Sequence, residues 1–256
     1  MRPFSVAVTG KGGTGKTTLA ALLVRALIEV GESPVLAVDA DPNANLHEAL
    51  GVEVTKTLGL MREESFKESI PPGMTRTEFI ELRFRQAIVE ERGFDLVAMG
   101  LPEGTGCYCF ANDVLQRSLA MLRKEYRFIV IDNEAGMEHI SRGTIGIPDI
   151  LVIVSDPGAR GIRTAARIRD LAKSLGLSSV PHVLVVNRWK GKSSESIPGA
   201  PDIGIVIPED PAVEASDLAG SPVGSIPPGS PAREAVRRLA QEILRRAKEK
   251  ATPAVS

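Results

Sequence analysis

The chain has almost no cysteine, no long apolar run and no excess of charge of either sign. Of its 256 residues only Cys107 and Cys109 are cysteines. One residue between them makes a disulfide linking the pair sterically awkward, so a disulfide framework is not the reason for their presence. No stretch approaches the roughly 20 apolar residues that span a bilayer, which argues against a membrane helix. The 31 basic residues balance 32 acidic ones to a net charge of −1. That balance gives no pointer to nucleic acid or to an anionic membrane surface. The chain enters a short apolar segment at Phe4 without a charged leader or cleavage site, so the cytoplasm is the expected compartment. Internal repeats are absent as well.

What the chain does have is a series of short apolar runs bounded by turn residues. They are Phe4 to Val8, Pro34 to Val38, Asp95 to Met99, Phe128 to Ile131, Ile150 to Val154, His182 to Val186 and Ile203 to Ile207. Near-continuous apolarity suits strands buried on both faces of a parallel sheet. Between them, Lys16 to Val30 and Arg160 to Leu175 carry apolar residues at helical spacing and stop at Gly31 and Gly176. The alternation predicts an α/β fold, a doubly wound and mostly parallel sheet flanked by helices. Residues 51–92 are less regular: Pro71-Pro72-Gly73 marks a turn and Thr77 to Glu91 reads as helix. A final helix is expected from about Ala232 to Lys250. The expected organisation is one domain over 1–250, with a frayed tail over 251–256.

The segment Gly10-Lys11-Gly12-Gly13-Thr14-Gly15-Lys16-Thr17-Thr18 meets the pattern G-x-x-x-x-G-K-[ST], preceded by a strand and followed by a helix. That context makes it a phosphate-binding P-loop. Glycines let successive N–H groups turn toward phosphates, Lys16 offers a point charge to the β and γ phosphates, and Thr17 can ligate Mg²⁺. Asp39 and Asp41, in Val38-Asp39-Ala40-Asp41-Pro42-Asn43, end the second strand. There they can hold Mg²⁺ through water and orient an attacking water, or merely cap the following helix. Asp132 closes another strand before Asn133-Glu134-Ala135-Gly136, as a Mg²⁺-binding Walker B aspartate followed by a γ-phosphate-sensing glycine would. Asn187 ends Val185-Val186-Asn187, where its amide can pair with an adenine edge. A GTPase would read N-K-x-D here; the chain reads Asn187-Arg188-Trp189-Lys190, so ATP is the expected nucleotide.

Lys11, placed directly after the first glycine, gives the loop a form that resembles the deviant Walker loop of the nitrogenase iron protein, MinD and ParA. The resemblance implies a homodimer in which Lys11 crosses to the partner's phosphates. Such charge delivered in trans is comparable to an arginine finger, worth on the order of 10³ to 10⁵ in rate. A solvated surface lysine is the plainer alternative. By the same resemblance Asp41 activates water, Asp39 supports Mg²⁺ and Ile207-Pro208-Glu209 packs its backbone against the base.

Cys107-Tyr108-Cys109, with Asn112 nearby, and Glu134-Ala135-Gly136-Met137-Glu138-His139 resemble the CooC/AcsF-type nickel-insertion ATPases that mature carbon monoxide dehydrogenase and acetyl-CoA synthase. Asn133 stands where that family has methionine. Two cysteines supply half of a tetrahedral soft-metal site, and a two-fold dimer would supply the other half. The resemblance therefore implies Ni²⁺ (or Zn²⁺) held at the dimer interface by Cys107 and Cys109 of both copies, with the apo-enzyme as client. Two buried structural thiols are the competing reading. His139 either contacts metal or anchors its segment, while His47 and His182 carry no assigned role. Two other functions stay open: a MinD- or ParA-like positioning ATPase, and an ATP-dependent iron-sulfur electron-transfer protein. The widely separated cysteines of the iron protein speak against the second.

Overall fold

A computed structural model describes residues 3–100, 125–136, 146–191 and 203–251. Its strands are β1 (Phe4–Gly10), β2 (Val35–Asp39), β3 (Val89–Glu91), β4 (Phe94–Ala98), β5 (Phe128–Asp132), β6 (Ile150–Ser155), β7 (His182–Trp189) and β8 (Ile203–Pro208). The helices are α1 (Lys16–Glu29), α2 (Leu46–Leu50), α3 (Leu58–Lys67), α4 (Arg76–Gln86), α5 (Ala159–Ala172), α6 (Pro211–Leu218) and α7 (Pro231–Ala251). The strands make one sheet in the order β3-β4-β2-β5-β1-β6-β7-β8, parallel throughout except for the β3–β4 pair. This is the doubly wound α/β architecture the apolar runs predict.

Every residue of β1, β2, β5 and β6 is buried. Successive side chains point to opposite faces, so each strand feeds two cores. Val6, Val8, Ala37 and Val130 pack with Leu23 and Leu27 of α1 and with Val236, Leu239 and Ile243 of α7. Ala7, Val38, Ile131 and Ile153 pack on the other face with Phe84 of α4 and with Ala165 and Ile168 of α5. Burial on both sides is what erases the polar alternation of a half-exposed strand. No helix among the described residues is long and apolar enough to cross a membrane.

The segment after residue 75 departs from the expected single helix. Helix α4 spans Arg76–Gln86 and starts at a capping box, in which Thr75 Oγ1 accepts from the Glu78 N–H and Glu78 Oε2 accepts from the Thr75 N–H at 2.7 Å. The chain then turns at Ala87 into β3, which pairs antiparallel with β4 across the two-residue link Arg92-Gly93. Its Ile88-Val89 pair suits a strand better than a helix end, and the hairpin completes the sheet edge. Helix α5 likewise ends at Ala172, and a wider turn over Lys173–Leu177 takes the chain through Gly176 toward β7.

Candidate functional site

Strand β1 delivers the phosphate loop to the carboxyl edge of the sheet, between β5 and β6. Gly10 sits so close to β6 that a Cβ there would lie 2.3 Å from the Val154 carbonyl oxygen. Gly15, at φ +87°, begins α1, and a Cβ on it would meet Asn187 Nδ2 at 2.5 Å. Helix α1 has no side-chain N-cap and no acidic residue in its first turn. Its first N–H groups and the positive end of its dipole are therefore available to an anion. Lys16 is buried, its ammonium 3.4 Å from the Lys11 carbonyl oxygen, which also accepts Thr14 Oγ1 at 2.8 Å. Lys11 and Gly12 are exposed, and Thr17 and Thr18 are half-buried on α1.

Beside the loop lie two carboxylates that the sheet places in register, Asp39 of β2 opposite Asp132 of β5. Both side chains are almost wholly removed from solvent. Burial pushes the Asp39 carboxyl up to about 7 against the pull of N–H donors on Leu46 and Asp41, and the Asp41 charge adds to the rise. Asp132 is also pushed up to about 7 by burial, with the Thr17 hydroxyl and Lys16 opposing and the Asp39 charge reinforcing. Its Oδ1 is buried and has no partner. A buried, unpartnered carboxylate oxygen beside a threonine hydroxyl and a second carboxylate fits a hard divalent cation held partly through water. Asp39, by contrast, is already engaged: its Oδ2 accepts from Leu46 N at 2.8 Å at the start of α2 and its Oδ1 from Asp41 N at 3.1 Å. These two bonds are the capping role expected of a carboxylate at this strand end. Asp41 is half-buried and accepts Asn43 N and Nδ2, both at 2.9 Å.

Gly136 leaves β5 and returns to the loop, its N–H donating to the Gly10 carbonyl at 3.2 Å and its carbonyl accepting from Thr9 Oγ1. Asn133, 2% exposed, ties β5 to β1 by donating Nδ2 to the Val8 carbonyl at 2.9 Å. This contact of Thr9 leaves no sign in the sequence, because the residue it grips lies 127 positions away.

On the other side of the loop a cavity of ≈ 350 Å³ opens between α1, the end of β7, the end of β8 and α6. Gly15, Thr18, Asn187, Ile207, Pro208 and Glu209 line it, so the expected base-binding residues converge there. Asn187 spends its amide partly on the loop: Nδ2 donates to the Thr14 carbonyl at 2.9 Å, and Oδ1 accepts from Arg188 N at 3.0 Å. One N–H and one lone pair remain for a base edge. Cys107, Cys109 and His139 lie outside the described residues, as does Asn112. Among the described residues no group of three or more His, Cys, Asp or Glu side chains is placed to hold a metal ion.

Residues 5–223 match the CobQ/CobB/MinD/ParA nucleotide binding domain family. An uncharacterized ATP-binding protein of Methanocaldococcus jannaschii is 39% identical over 248 residues, covering 93% of this chain and 98% of that protein. The carbon monoxide dehydrogenase accessory protein CooC of Rhodospirillum rubrum is 36% identical over 247 residues, covering 85% and 88%. Among solved structures, the septum site-determining protein MinD of Pyrococcus horikoshii, complexed with Mg-ADP, superposes with a TM-score of 0.69 at 28% identity over 98% of this chain and 100% of that one. With the glycine-bounded loop, the paired carboxylates and the adjoining cavity in place, the chain belongs to the CobQ/CobB/MinD/ParA family of nucleotide-binding P-loop proteins and is an ATPase.

Proposed function

We propose that this ATPase is a maturation factor that couples MgATP-dependent dimerisation to the binding and insertion of nickel into carbon monoxide dehydrogenase or acetyl-CoA synthase. The observation that carries the reading is a combination within one chain. An exposed lysine follows the first loop glycine, a Cys-x-Cys pair occurs at 107 and 109, and 85% of the chain aligns at 36% identity with a carbon monoxide dehydrogenase accessory protein. Lys16 neutralises the β and γ phosphates from within the subunit, while the exposed Lys11 reaches the phosphates of a second copy. Asp41 orients the attacking water. Thr17 and Asp132, with Asp39 behind them, would hold Mg²⁺, which would offset the negative charge of the phosphates. Gly136 carries the nucleotide state into the segment that follows it. Cys107 and Cys109 from two copies then offer four thiolates to a soft divalent cargo such as Ni²⁺ or Zn²⁺.

The test is metal stoichiometry. The dimer is expected to bind one Ni²⁺ or Zn²⁺ per two chains, and Cys107→Ala/Cys109→Ala is expected to abolish that binding while ATP binding persists. Full metal binding by the double variant overturns the metal assignment. The likeness to MinD favours a second reading, a positioning ATPase acting on a surface. Against it, the arginines of α7 are largely matched by acids: Arg245 pairs with Glu242 and Glu249, Arg246 with Glu242, and Arg233 with Glu29 of α1. A helix neutralised in this way is a poor polybasic anchor.

A further inference from the structure

The base cavity holds one residue whose backbone conformation its side chain does not favour. Between Val186↔Val206 and Trp189↔Pro208 the β7–β8 ladder slips, setting Asn187 and Arg188 of β7 against Ile207 alone. This is a β-bulge, and Arg188 occupies it at φ +58°. Glycine is the usual residue where a bulge demands the left-handed region, and a long side chain there is strained. Both ends of Arg188 are nonetheless fixed. Its N–H donates to Asn187 Oδ1 at 3.0 Å, and its Nη1 reaches across 175 residues to the Gly13 carbonyl at 3.3 Å.

That second contact lies beside the bond from Asn187 Nδ2 to the Thr14 carbonyl. The bulge therefore grips two successive carbonyls of the phosphate loop from outside. In a trans peptide the C=O and the following N–H point in opposite directions. Drawing the Gly13 and Thr14 carbonyls toward β7 turns the N–H groups of Thr14 and Gly15 to the opposite side, away from β7. The Thr14 N–H donates to the Lys11 carbonyl across the loop at 3.4 Å, a long bond that a phosphate oxygen can replace. Two adjacent inward N–H groups are the elements of an anion-binding nest.

We infer that Arg188 is a positioning residue that pre-orients the phosphate loop from the base side, so that the bulge is kept strained in order to hold the loop's N–H groups toward the polyphosphate. It acts on the phosphates through the backbone of Gly13 and Thr14. The strain and the function then have opposite signs on substitution, which a structural role would not produce.

Arg188→Gly gives the bulge the residue it prefers and removes the guanidinium. Its melting temperature without nucleotide is expected to equal or exceed that of the parent. By isothermal titration calorimetry its affinities for MgATP and for inorganic tripolyphosphate are expected to fall together, about 5- to 10-fold, while adenosine binds as before. In steady state the loss is expected in KM, with kcat within about two-fold. Arg188→Lys, which retains a cation but not the fork, is expected to lie between the two. Unchanged MgATP affinity in Arg188→Gly overturns the inference. So does a loss confined to ATP and adenosine, which would make Arg188 a base contact, and so does a lowered melting temperature accompanying the weaker binding, which would make it a fold contact.

Discussion

The two ends of the nucleotide site are built in different ways. At the phosphate end the two carboxylates Asp39 and Asp132 are buried, come from the ends of β2 and β5, and are held in place by the ladder itself: Val8 pairs with Asp132, and Asp39 with Asp132. At the base end Asn187 and Arg188 are half or fully exposed, come from a bulge in β7, and reach the loop through side chains. The first end is under electrostatic tension, with two carboxylates out of water beside a lysine. The second is under backbone tension, with an arginine in a glycine conformation. A site that stores unfavourable energy at both ends can release it when a ligand arrives, and the kind of tension decides which measurement reveals it.

The largest effect is expected at the phosphate end and is a pH effect. Asp39 and Asp132 are each raised to about 7 in the folded chain, far above the ordinary aspartate value of 3.8, and they titrate as a coupled pair. Between those values the folded state holds protons that the unfolded state has released. The stabilising contribution is therefore complete below about pH 4 and disappears as pH rises through 7. For the nucleotide-free protein in chelator this predicts a loss on the order of 2–4 kcal/mol between pH 5 and 8 that Asp132→Asn reduces by about half, since burial alone still raises Asp39. Thermal melts of both proteins across that range measure it. Equal pH slopes in the two would show that the buried carboxylates are better solvated than their place in the sheet implies, and the contrast between the two ends would weaken.

The phosphate end was also the legible one. Its pattern sits within nine consecutive residues, because one loop conformation dictates glycine at fixed spacings, and its acids close apolar runs that announce strand ends. Asp39, Asp41, Asp132 and Gly136 could be placed at the carboxyl edge for that reason. The base end could be placed only as a set of residues. Asn187, Ile207, Pro208 and Glu209 do line one cavity, yet the bond from Asn187 to Thr14 spans 173 positions and leaves no periodic trace. Arg188 carries no signal in the sequence, since a positive φ on arginine cannot be read from composition. The same limit explains β3, where three residues of weak pattern became a strand because β4 offered them a paired edge. Helix α2, at five residues, is too short for a helical period to show.

A middle-sized effect is expected where the two ends touch. Gly15→Ala forces an L-residue to φ +87° and brings its Cβ within 2.5 Å of Asn187 Nδ2, so the amide must leave the Thr14 carbonyl. The conformational cost and the lost hydrogen bond together predict a destabilisation of about 1–3 kcal/mol. Adding Asn187→Ala removes the clash without restoring the conformation. The double variant is thus expected to lose less than the sum of the two singles, by about 0.5–1 kcal/mol, in denaturant titrations. Strict additivity would mean that the loop and the bulge are independent, against the contact that joins them.

The smallest effect is expected at the rim of the base end. Lys190 Nζ lies 3.0 Å from Glu209 Oε1, but the two side chains are 74% and 45% exposed. An ion pair in that setting is screened by solvent and must order two long side chains, so it contributes about 0–0.5 kcal/mol. Lys190→Ala is therefore expected to leave KM for ATP within about two-fold and the melting temperature nearly unchanged. The contrast with Arg188, two residues earlier and also exposed, is then specific: what separates them is a backbone carbonyl of the phosphate loop within reach of one guanidinium and an exposed carboxylate opposite the other cation. A ten-fold rise in KM for Lys190→Ala would locate base-end affinity in surface charge instead, and would remove the reason to treat the bulge as the part of that end that matters.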